Sequence, residues 1–324
     1  MLQERIFQIT NEKEFEVLCM EVFRYQFNNN SVYKQFCQLI HRSPERVNSY
    51  IDIPFLPIEF FKSRKVISGD KPSQITFTSS GTTGNSTSKH YVTDLRLYEK
   101  SFLTAFKSFY GNPSEYIFLA LLPSYLERKG SSLIYMVDSL IKSSNNPESG
   151  FYLNNLEELA SKLTEVDKKG SKVFLIGVSF ALLDLMEQYD FELENTIIME
   201  TGGMKGRRKE MIREELHAHL KKGFGVKSIH SEYGMTELLS QAYSKGNGIF
   251  ECPPWMRILI RDPEDALSYQ EDGKTGGINL IDLANINSCS FIATQDLGKR
   301  KNNNLEILGR FDNSDIRGCN LLLL

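Results

Sequence analysis

Short apolar segments alternate with amphipathic segments from residue 71 onward, and this alternation restricts the possible folds more than any other feature of the chain. The apolar segments are QITFT (74–78), YIFLALL (116–122), KVFLIGV (172–178), NTIIME (195–200) and VKSIH (226–230). Helical patterns such as FALLDLMEQ and KEMIREELHAHLKK lie between them. Strands that are almost wholly apolar and separated by helices predict a largely parallel sheet with both faces covered. The predicted fold class is therefore α/β.

The two ends of the chain have a different character. Residues 1–70 have a helical pattern, in which Asn11 and Glu14 form a capping box ahead of apolar residues at helical spacing. After CPPWM (252–256), closely spaced strand patterns follow, with turn residues between them. We therefore expect one domain over 1–310, followed by a short tail over 311–324. Within that domain we expect a helical region (1–70), an α/β core (71–250) and a small β-rich subdomain (251–310).

Composition excludes several classes of function. The chain has 324 residues, is 41% hydrophobic and 24% charged, and carries a formal net charge of −3. These values are typical of a soluble globular protein and give no electrostatic case for binding nucleic acid or an anionic membrane. No run approaches the ~20 apolar residues of a membrane span, and the N-terminus does not resemble a signal peptide. Five scattered cysteines fit reduced thiols, so we expect a cytoplasmic protein.

A loop rich in serine, threonine and glycine, TFTSSGTTGNSTSKH (76–90), follows the first strand pattern. Such loops are often flexible linkers. They can also cradle phosphates, because glycines let backbone amides approach an oxyanion while hydroxyls and a lysine such as Lys89 add donors and charge. The loop lacks the spacing of a Walker A motif. The composition of the loop alone leaves both interpretations open.

Further motifs follow in a fixed order: TGGMKGR (201–207), YGMTE (233–237), ATQDLG (293–298) and GRFD (309–312). Together with TSSGTTG they resemble the signatures of the adenylate-forming superfamily, which activates carboxylates with ATP. From about residue 50 onward, the segments IPFLPIEFFK, LPSYLERKGSSLIYM, ETGGMKGR, YGMTELLSQAY and CPPWM resemble the acyl-protein synthetase (LuxE-type) family more specifically. This resemblance implies the large domain of an adenylate-forming enzyme, with mostly parallel sheets flanked by helices and a small β subdomain.

The resemblance also implies residue roles. The ATP phosphates would be bound by Thr78, Ser79, Ser80, Gly81, Thr82, Thr83, Gly84 and Lys89. The adenine side would be formed by Gly202, Gly203, Met204, Tyr233 and Gly234. Thr236 would contact phosphate, Glu237 would hold Mg²⁺, Asp296 would accept from the ribose, and Arg310 would pair with ribose or phosphate. Two departures from the superfamily pattern weaken this transfer: Gln295 stands where a glycine is common, and Lys89 lies further from the glycines than usual.

The implied reaction converts ATP to AMP and pyrophosphate while activating a carboxylic acid, with a fatty acid as the family's substrate. Only NSDIRGCNLLLL follows the GRFD corner, so we expect the small C-terminal domain of the superfamily to be absent. In the acyl-protein synthetases the acyl group passes to a cysteine near the C-terminus and then to a partner reductase. Cys319 would be that cysteine here, and the expected partner is a reductase or an acyltransferase that receives the acyl group. Alternatively, Cys319 is packed in a final strand, CNLLLL. Coenzyme A as the acceptor and a non-catalytic nucleotide- or acyl-binding subunit remain alternatives.

Three histidines carry weaker expectations. His217 and His219 are two residues apart on a predicted helix and point about 200° apart, which favours solvated or half-buried side chains over a metal site. His230 precedes the YGMTE motif and is a candidate for lining an acyl pocket, as is Cys252, for which buried packing is the simpler interpretation.

Overall fold

The computed structural model describes residues 2–79, 87–123, 130–153, 155–204, 207–209, 211–302 and 304–310. The chain divides into two compact units. We call the unit formed by 74–89 and 94–253 the α/β unit. The other, whose described residues fall within 2–73, 90–93 and 254–310, we call the β-rich unit.

The helices are α1 (Leu2–Ile6), α2 (Glu12–Asn29), α3 (Ser31–Leu39), α4 (Phe60–Ser63), α5 (Leu95–Tyr110), α6 (Ser132–Ser144), α7 (Leu156–Lys168), α8 (Ser179–Gln188) and α9 (Arg213–Phe224). The strands are β1 (Leu56–Pro57), β2 (Ile75–Thr78), β3 (Lys89–Val92), β4 (Ile117–Leu121), β5 (Gly150–Tyr152), β6 (Val173–Val178), β7 (Thr196–Thr201), β8 (His230–Tyr233), β9 (Ala242–Ser244), β10 (Ile249–Phe250), β11 (Met256–Arg261), β12 (Thr275–Asp282), β13 (Phe291–Lys301) and β14 (Asn304–Arg310).

The α/β unit is built on a sheet with strand order β5-β4-β6-β7-β8-β9. All neighbours in this order are parallel except β8 and β9, which are antiparallel. Every residue of β4 and β6 is buried, as expected for strands covered on both faces. Helices α6 to α9 connect successive parallel strands. The prediction of a largely parallel α/β sheet is confirmed.

Strand positions agree with the sequence pattern wherever the strand is apolar. The predicted strands at 116–122, 172–178 and 195–200 correspond to β4, β6 and β7, with each end within one residue of its predicted position. The predicted strand at 226–230 is wrong, since β8 runs from His230 to Tyr233. Its sequence, HSEY, is polar, and its position depends on pairing with β7 and β9 rather than on an apolar run.

The β-rich unit contains an antiparallel sheet with the order β14-β13-β12-β11, and β1 pairs in parallel with β13. The N-terminal helices belong to this same unit. The side-chain amide nitrogen of Gln26 in α2 donates to the carbonyl oxygens of Asn285 and Ile286, and its amide oxygen accepts from the backbone of Ser290 at 2.9 Å. The ring of Phe291 stacks on Tyr33 of α3. Helices from the start of the chain are thus held on a sheet from its end.

Helix α2 begins where the capping pattern predicts. The Asn11 side chain accepts from the backbone of Glu14 at 3.0 Å. The Glu14 carboxylate in turn accepts from the backbone of Thr10 at 2.8 Å. Both bonds satisfy amides near the helix start.

Candidate functional site

The two motifs TGGM and YGMTE come directly after neighbouring strands of the α/β unit. Thr201 is the last residue of β7, Tyr233 is the last residue of β8, and the two strands are parallel with Thr201 opposite Glu232. Ligands of open α/β sheets bind outside the carboxyl ends of the strands. The structure therefore brings the 201–204 and 233–237 motifs side by side at the edge where a ligand is expected.

The turn after β7 is held by a serine at the start of α8. The Ser179 hydroxyl donates to the Glu200 carboxylate at 3.1 Å and also lies 3.4 Å from the carbonyl oxygen of Gly202. Gly202 has a φ of 69°, a left-handed conformation that favours glycine. Met204 ends the turn with a side chain only 2% exposed, whereas Gly203 has open space around it. The turn is thus anchored at both ends around an accessible glycine.

Glu200 is the centre of a buried polar cluster beneath this turn. Its carboxylate lies 2.7 Å from the Arg213 guanidinium and 3.5 Å from Nε2 of His217, which in turn lies 3.2 Å from the Ser231 hydroxyl. Burial disfavours the charged carboxylate. The hydrogen bond from His217 and the charge of Arg213 outweigh it, and the pKa of Glu200 is lowered. This cluster fixes the ends of β7 and β8 to α9.

The same cluster corrects the expectation for one histidine. His217 is only 6% exposed and hydrogen-bonded, and not solvated or half-buried as its spacing suggested, whereas His219 is exposed. Arg213 and His217 stand four residues apart and share a helix face. That i, i+4 pair was the sequence signal for the cluster, and sequence reasoning missed it.

The YGMTE motif starts with a close packing arrangement around its glycine. A Cβ atom added at Gly234 would overlap the Glu232 carboxylate and lie 3.2 Å from Cγ of Gln241. The Thr201 hydroxyl donates to that carboxylate at 2.5 Å. Burial, opposed by this hydrogen bond and assisted by the charge of Glu200, raises the pKa of Glu232 to about 7. The two motifs are therefore joined directly through Thr201 and Glu232.

Within the YGMTE motif, the last residue is the buried one. Tyr233 is partly exposed, with its ring 6.3 Å from that of Phe250. Thr236 is also partly exposed, whereas Glu237 is only 5% exposed. A single buried carboxylate suits Mg²⁺ when substrate phosphates and waters supply the remaining oxygen ligands. Within the described ranges, no group of three or more His, Cys, Asp or Glu side chains is placed to hold a metal ion by itself.

The two ends of the Ser/Thr/Gly loop are tied together. The backbone of Ser79 donates to the carbonyl of Ser88 at 3.1 Å, and the backbone of Ser88 donates to the Ser79 hydroxyl at 2.9 Å. The backbone of Thr78 donates to the carbonyl of Gly130 at 2.8 Å, and Lys89 is exposed. Ser80, Gly81, Thr82, Thr83 and Gly84 lie outside the described residues, as does Cys319.

Two predicted ribose ligands pair within the β-rich unit. Asp296 on β13 lies opposite Arg310 on β14, and Nε of Arg310 is 3.1 Å from the Asp296 carboxylate. Asp296 is only 7% exposed, and its backbone donates to the Thr294 hydroxyl at 3.0 Å. The Arg310 side chain is 78% exposed. The Asp296 carboxylate is thus a buried acceptor, whereas the Arg310 side chain that pairs with it is largely in solvent.

Tyr110, His230 and Tyr243 form a cluster of rings on the α5 side of β8 and β9. The sequence analysis named only His230 among them. His230 lies 3.2 Å from the Tyr110 hydroxyl, and the Tyr110 ring is 5.5 Å from that of Tyr243. Burial, followed by the charge of Lys245, lowers the pKa of His230 to about 4. Cys252 is partly exposed, whereas Cys19, Cys37 and Cys289 are buried.

The fold is that of the adenylate-forming ligases. The structure of 2-hydroxyisobutyryl-CoA ligase in complex with 2-HIB-AMP and CoA superposes with a TM-score of 0.70 over 94% of this chain and 72% of that chain, at 11% identity. ATP-bound MatB from Rhodopseudomonas palustris superposes with a TM-score of 0.55 over 72% of this chain and 47% of that chain, at 16% identity. The predicted fold class is confirmed.

Among curated proteins, this chain is similar to the long-chain-fatty-acid–luciferin-component ligase of Vibrio harveyi. The two are 22% identical over 330 residues, which cover 92% of this chain and 84% of the ligase. The resemblance to the LuxE-type acyl-protein synthetases among adenylate-forming ligases is thereby confirmed. No protein-family model matches the chain. Among the described residues, no helix has the length and apolarity needed to cross a membrane.

Proposed function

We propose that this protein activates a carboxylic acid with ATP as an acyl adenylate and passes the acyl group to a protein thiol. The observation that carries the proposal is the placement of TGGM and YGMTE side by side at the carboxyl ends of β7 and β8, joined by the Thr201–Glu232 hydrogen bond. The fold and the similarity to a fatty-acid ligase support it. A fatty acid is the proposed substrate class.

The proposed nucleotide ligands are those that the resemblance implies. Thr78, Ser79 and Lys89, with the loop residues between them, would bind the phosphates, and Tyr233 would stack on adenine beside the 202–204 turn. Thr236 would contact phosphate and Glu237 would hold Mg²⁺, which supplies positive charge to the phosphates when bound. Asp296 and Arg310 would bind the ribose. The open space around Gly203 supports this assignment, because a glycine without neighbours leaves room for a ligand to approach the backbone.

The proposed chemistry needs no dedicated base. One oxygen of the substrate carboxylate forms a bond to the α-phosphorus of ATP while the bond to pyrophosphate breaks. Because the nucleophile is already an anion, the protein's task is to position it and to stabilise charge on the phosphate oxygens. In the second step, a thiolate attacks the acyl carbonyl carbon, AMP leaves, and the thiol proton passes to solvent. We propose Cys319 as this thiol and a partner protein as the final acceptor.

ATP–pyrophosphate exchange tests the first step. Exchange should depend on an added acid from a panel of chain lengths, and Glu237→Gln should reduce it at least tenfold. If no acid of the panel supports exchange, the proposal that the protein is an enzyme is contradicted. A non-catalytic nucleotide- or acyl-binding protein is then favoured. Release of the acyl group to coenzyme A as efficiently as to protein would favour a CoA ligase instead.

Covalent labelling tests the second step. The protein is incubated with ATP and a radiolabelled acid, and a hydroxylamine-labile label is expected on the chain. Cys319→Ser should lose the label and keep pyrophosphate exchange. Cys252→Ser is the matched control, because Cys252 is a partly exposed thiol that should not affect labelling. A label that survives Cys319→Ser contradicts the role of Cys319.

A further inference from the structure

Two buried polar groups on one side of the α/β sheet lack a hydrogen-bond partner among the described residues. They are the amide oxygen of Gln241 and the hydroxyl of Tyr243. The two side chains are only 4% and 3% exposed. Buried polar groups in proteins are nearly always hydrogen-bonded, so an atom without a partner among the described residues indicates a further partner, such as a water or a ligand. Two of them two residues apart indicate a common site.

These groups share a face with Glu232. Tyr243 on β9 lies directly opposite Glu232 on β8, so both side chains are on the same face of the sheet. Gln241 precedes Tyr243 by two residues, and its Cγ lies 3.2 Å from the position that a Cβ of Gly234 would occupy, beside the Glu232 carboxylate. We call Glu232, Gln241 and Tyr243 the polar strip. It begins at the glycine of the YGMTE motif.

Aromatic side chains of α5 border the polar strip. The ring of Phe109 is 5.1 Å from that of Tyr243, and the ring of Tyr110 is 5.5 Å from it. Tyr110 also contacts His230, which lies two residues before Glu232 on β8. An aromatic border suits a hydrocarbon chain, and the orphaned groups suit a polar substituent on that chain.

We propose that the polar strip binds the acid substrate and that this acid carries a hydroxyl group on its chain. This rests on the proposed function, in which the carboxylate must meet the nucleotide bound at the YGMTE motif and its chain must extend away from there. A hydroxyl has one proton to donate and two lone pairs to accept. A hydroxyl can therefore accept from a phenol such as that of Tyr243 and donate to an amide oxygen such as that of Gln241. A plain saturated chain would leave both orphaned.

The primary test is pyrophosphate exchange with acids of equal chain length that are unsubstituted, hydroxylated at successive positions, or amino-substituted. A site built to hydrogen-bond a hydroxyl rejects the analogue that lacks it. At least one hydroxylated acid should therefore show a kcat/KM about tenfold or more above that of the unsubstituted acid. Equal kcat/KM values across the panel, or a preference for the amino-substituted acid, would overturn the inference while leaving acid activation intact.

Two variants locate the preference on the strip. Tyr243→Phe and Gln241→Met remove the orphaned atoms with little change of shape. In each variant the ratio of kcat/KM for the hydroxylated acid to that for the unsubstituted acid should fall to within threefold of one. Tyr98→Phe is the matched control, because the Tyr98 hydroxyl is buried on α5 but donates to the carbonyl of Ser132 at 3.0 Å. It should keep the preference. A preference unchanged in Tyr243→Phe would overturn the inference.

A second measurement needs no activity. Without acid, Tyr243→Phe should melt at the same or a higher temperature than the parent, because it removes an unpaired buried hydroxyl, whereas Tyr98→Phe should melt lower. Equal losses in both would mean that an ordered water already satisfies Tyr243, and the inference would fail. If no acid supports exchange, the proposed function fails. The strip would still be supported if a hydroxylated acid, unlike the unsubstituted acid, raised the melting temperature of the parent protein but not that of Tyr243→Phe.

Discussion

The hydroxyl of Thr201 donates to the carboxylate of Glu232 across the carboxyl ends of β7 and β8, at an oxygen–oxygen distance of 2.5 Å. Thr201 begins the TGGM motif and Glu232 immediately precedes YGMTE. One short hydrogen bond therefore sets the relative position of two turns that we propose to bind adenine. The loss of this bond should affect nucleotide binding more than the chemistry that follows.

Thr201→Val tests this relationship. Valine keeps the shape of threonine but cannot donate, so we expect a loss of about 1–3 kcal/mol in the free energy of unfolding. The KM for ATP should rise several-fold while kcat changes little. Thr196→Val is the matched control at the other end of β7, where the Thr196 hydroxyl donates to Asp167 at 2.7 Å. It should cost similar stability and leave the KM for ATP unchanged; a similar rise in both variants would contradict the positioning role.

Glu232 should make stability depend on pH. Its pKa is raised to about 7, so the folded protein holds this proton at pH values where the unfolded chain, with a carboxyl pKa near 4.5, has released it. The contribution is fully present below about pH 4.5 and is lost as the pH rises to 7. Its size is at most about 3 kcal/mol. Urea unfolding should show that Glu232→Gln gains stability relative to the parent between pH 5 and pH 8; parallel curves would contradict this.

His230 should act in the opposite direction. Its pKa is lowered to about 4, mainly by burial, so the folded protein keeps it neutral while the unfolded chain binds a proton near pH 6.5. The stability that it contributes is present above pH 6.5 and is lost as the pH falls toward 4. We expect His230→Gln to reduce this acid loss by about 1–2 kcal/mol, allowing for the partial exposure of the ring.

The sequence predicted the sheet because its central strands are buried on both faces. The run VFLIGV (173–178) is apolar throughout, and it coincides with β6. The sequence pattern misplaced β8. The segment HSEY has no alternation of apolar and polar residues, and it is a strand because it pairs with β7 and β9. The packing of α2 on the β-rich sheet was also beyond sequence patterns, since Gln26 and Ser290 are 264 residues apart.

The candidate site also has residues that the sequence could indicate and residues that it could not. Motif residues could be named from the sequence because glycine, tyrosine and glutamate stand at recognisable spacing in TGGM and YGMTE. The residues that hold these motifs in place could not be named from the sequence. Each comes from a different helix or strand, and they meet only once the sheet has formed: Ser179, Glu200, His217 and Ser231. The orphaned atoms of Gln241 and Tyr243 likewise follow from burial, which no local pattern reports.

Gly234→Ala gives the sharpest test of the packing at this site. The added methyl group would overlap the Glu232 carboxylate, which must then move away from Thr201. We expect the KM for ATP to rise at least tenfold, with a loss of about 1–3 kcal/mol in stability. Gly150→Ala is the control, because its Cβ would meet nothing within 4 Å. The double variant Gly234→Ala/Glu232→Ala removes the overlapping carboxylate, so the two substitutions should couple and ATP binding should partly recover. Additive losses would show that Gly234 is required for another reason, such as direct approach of the nucleotide to its backbone.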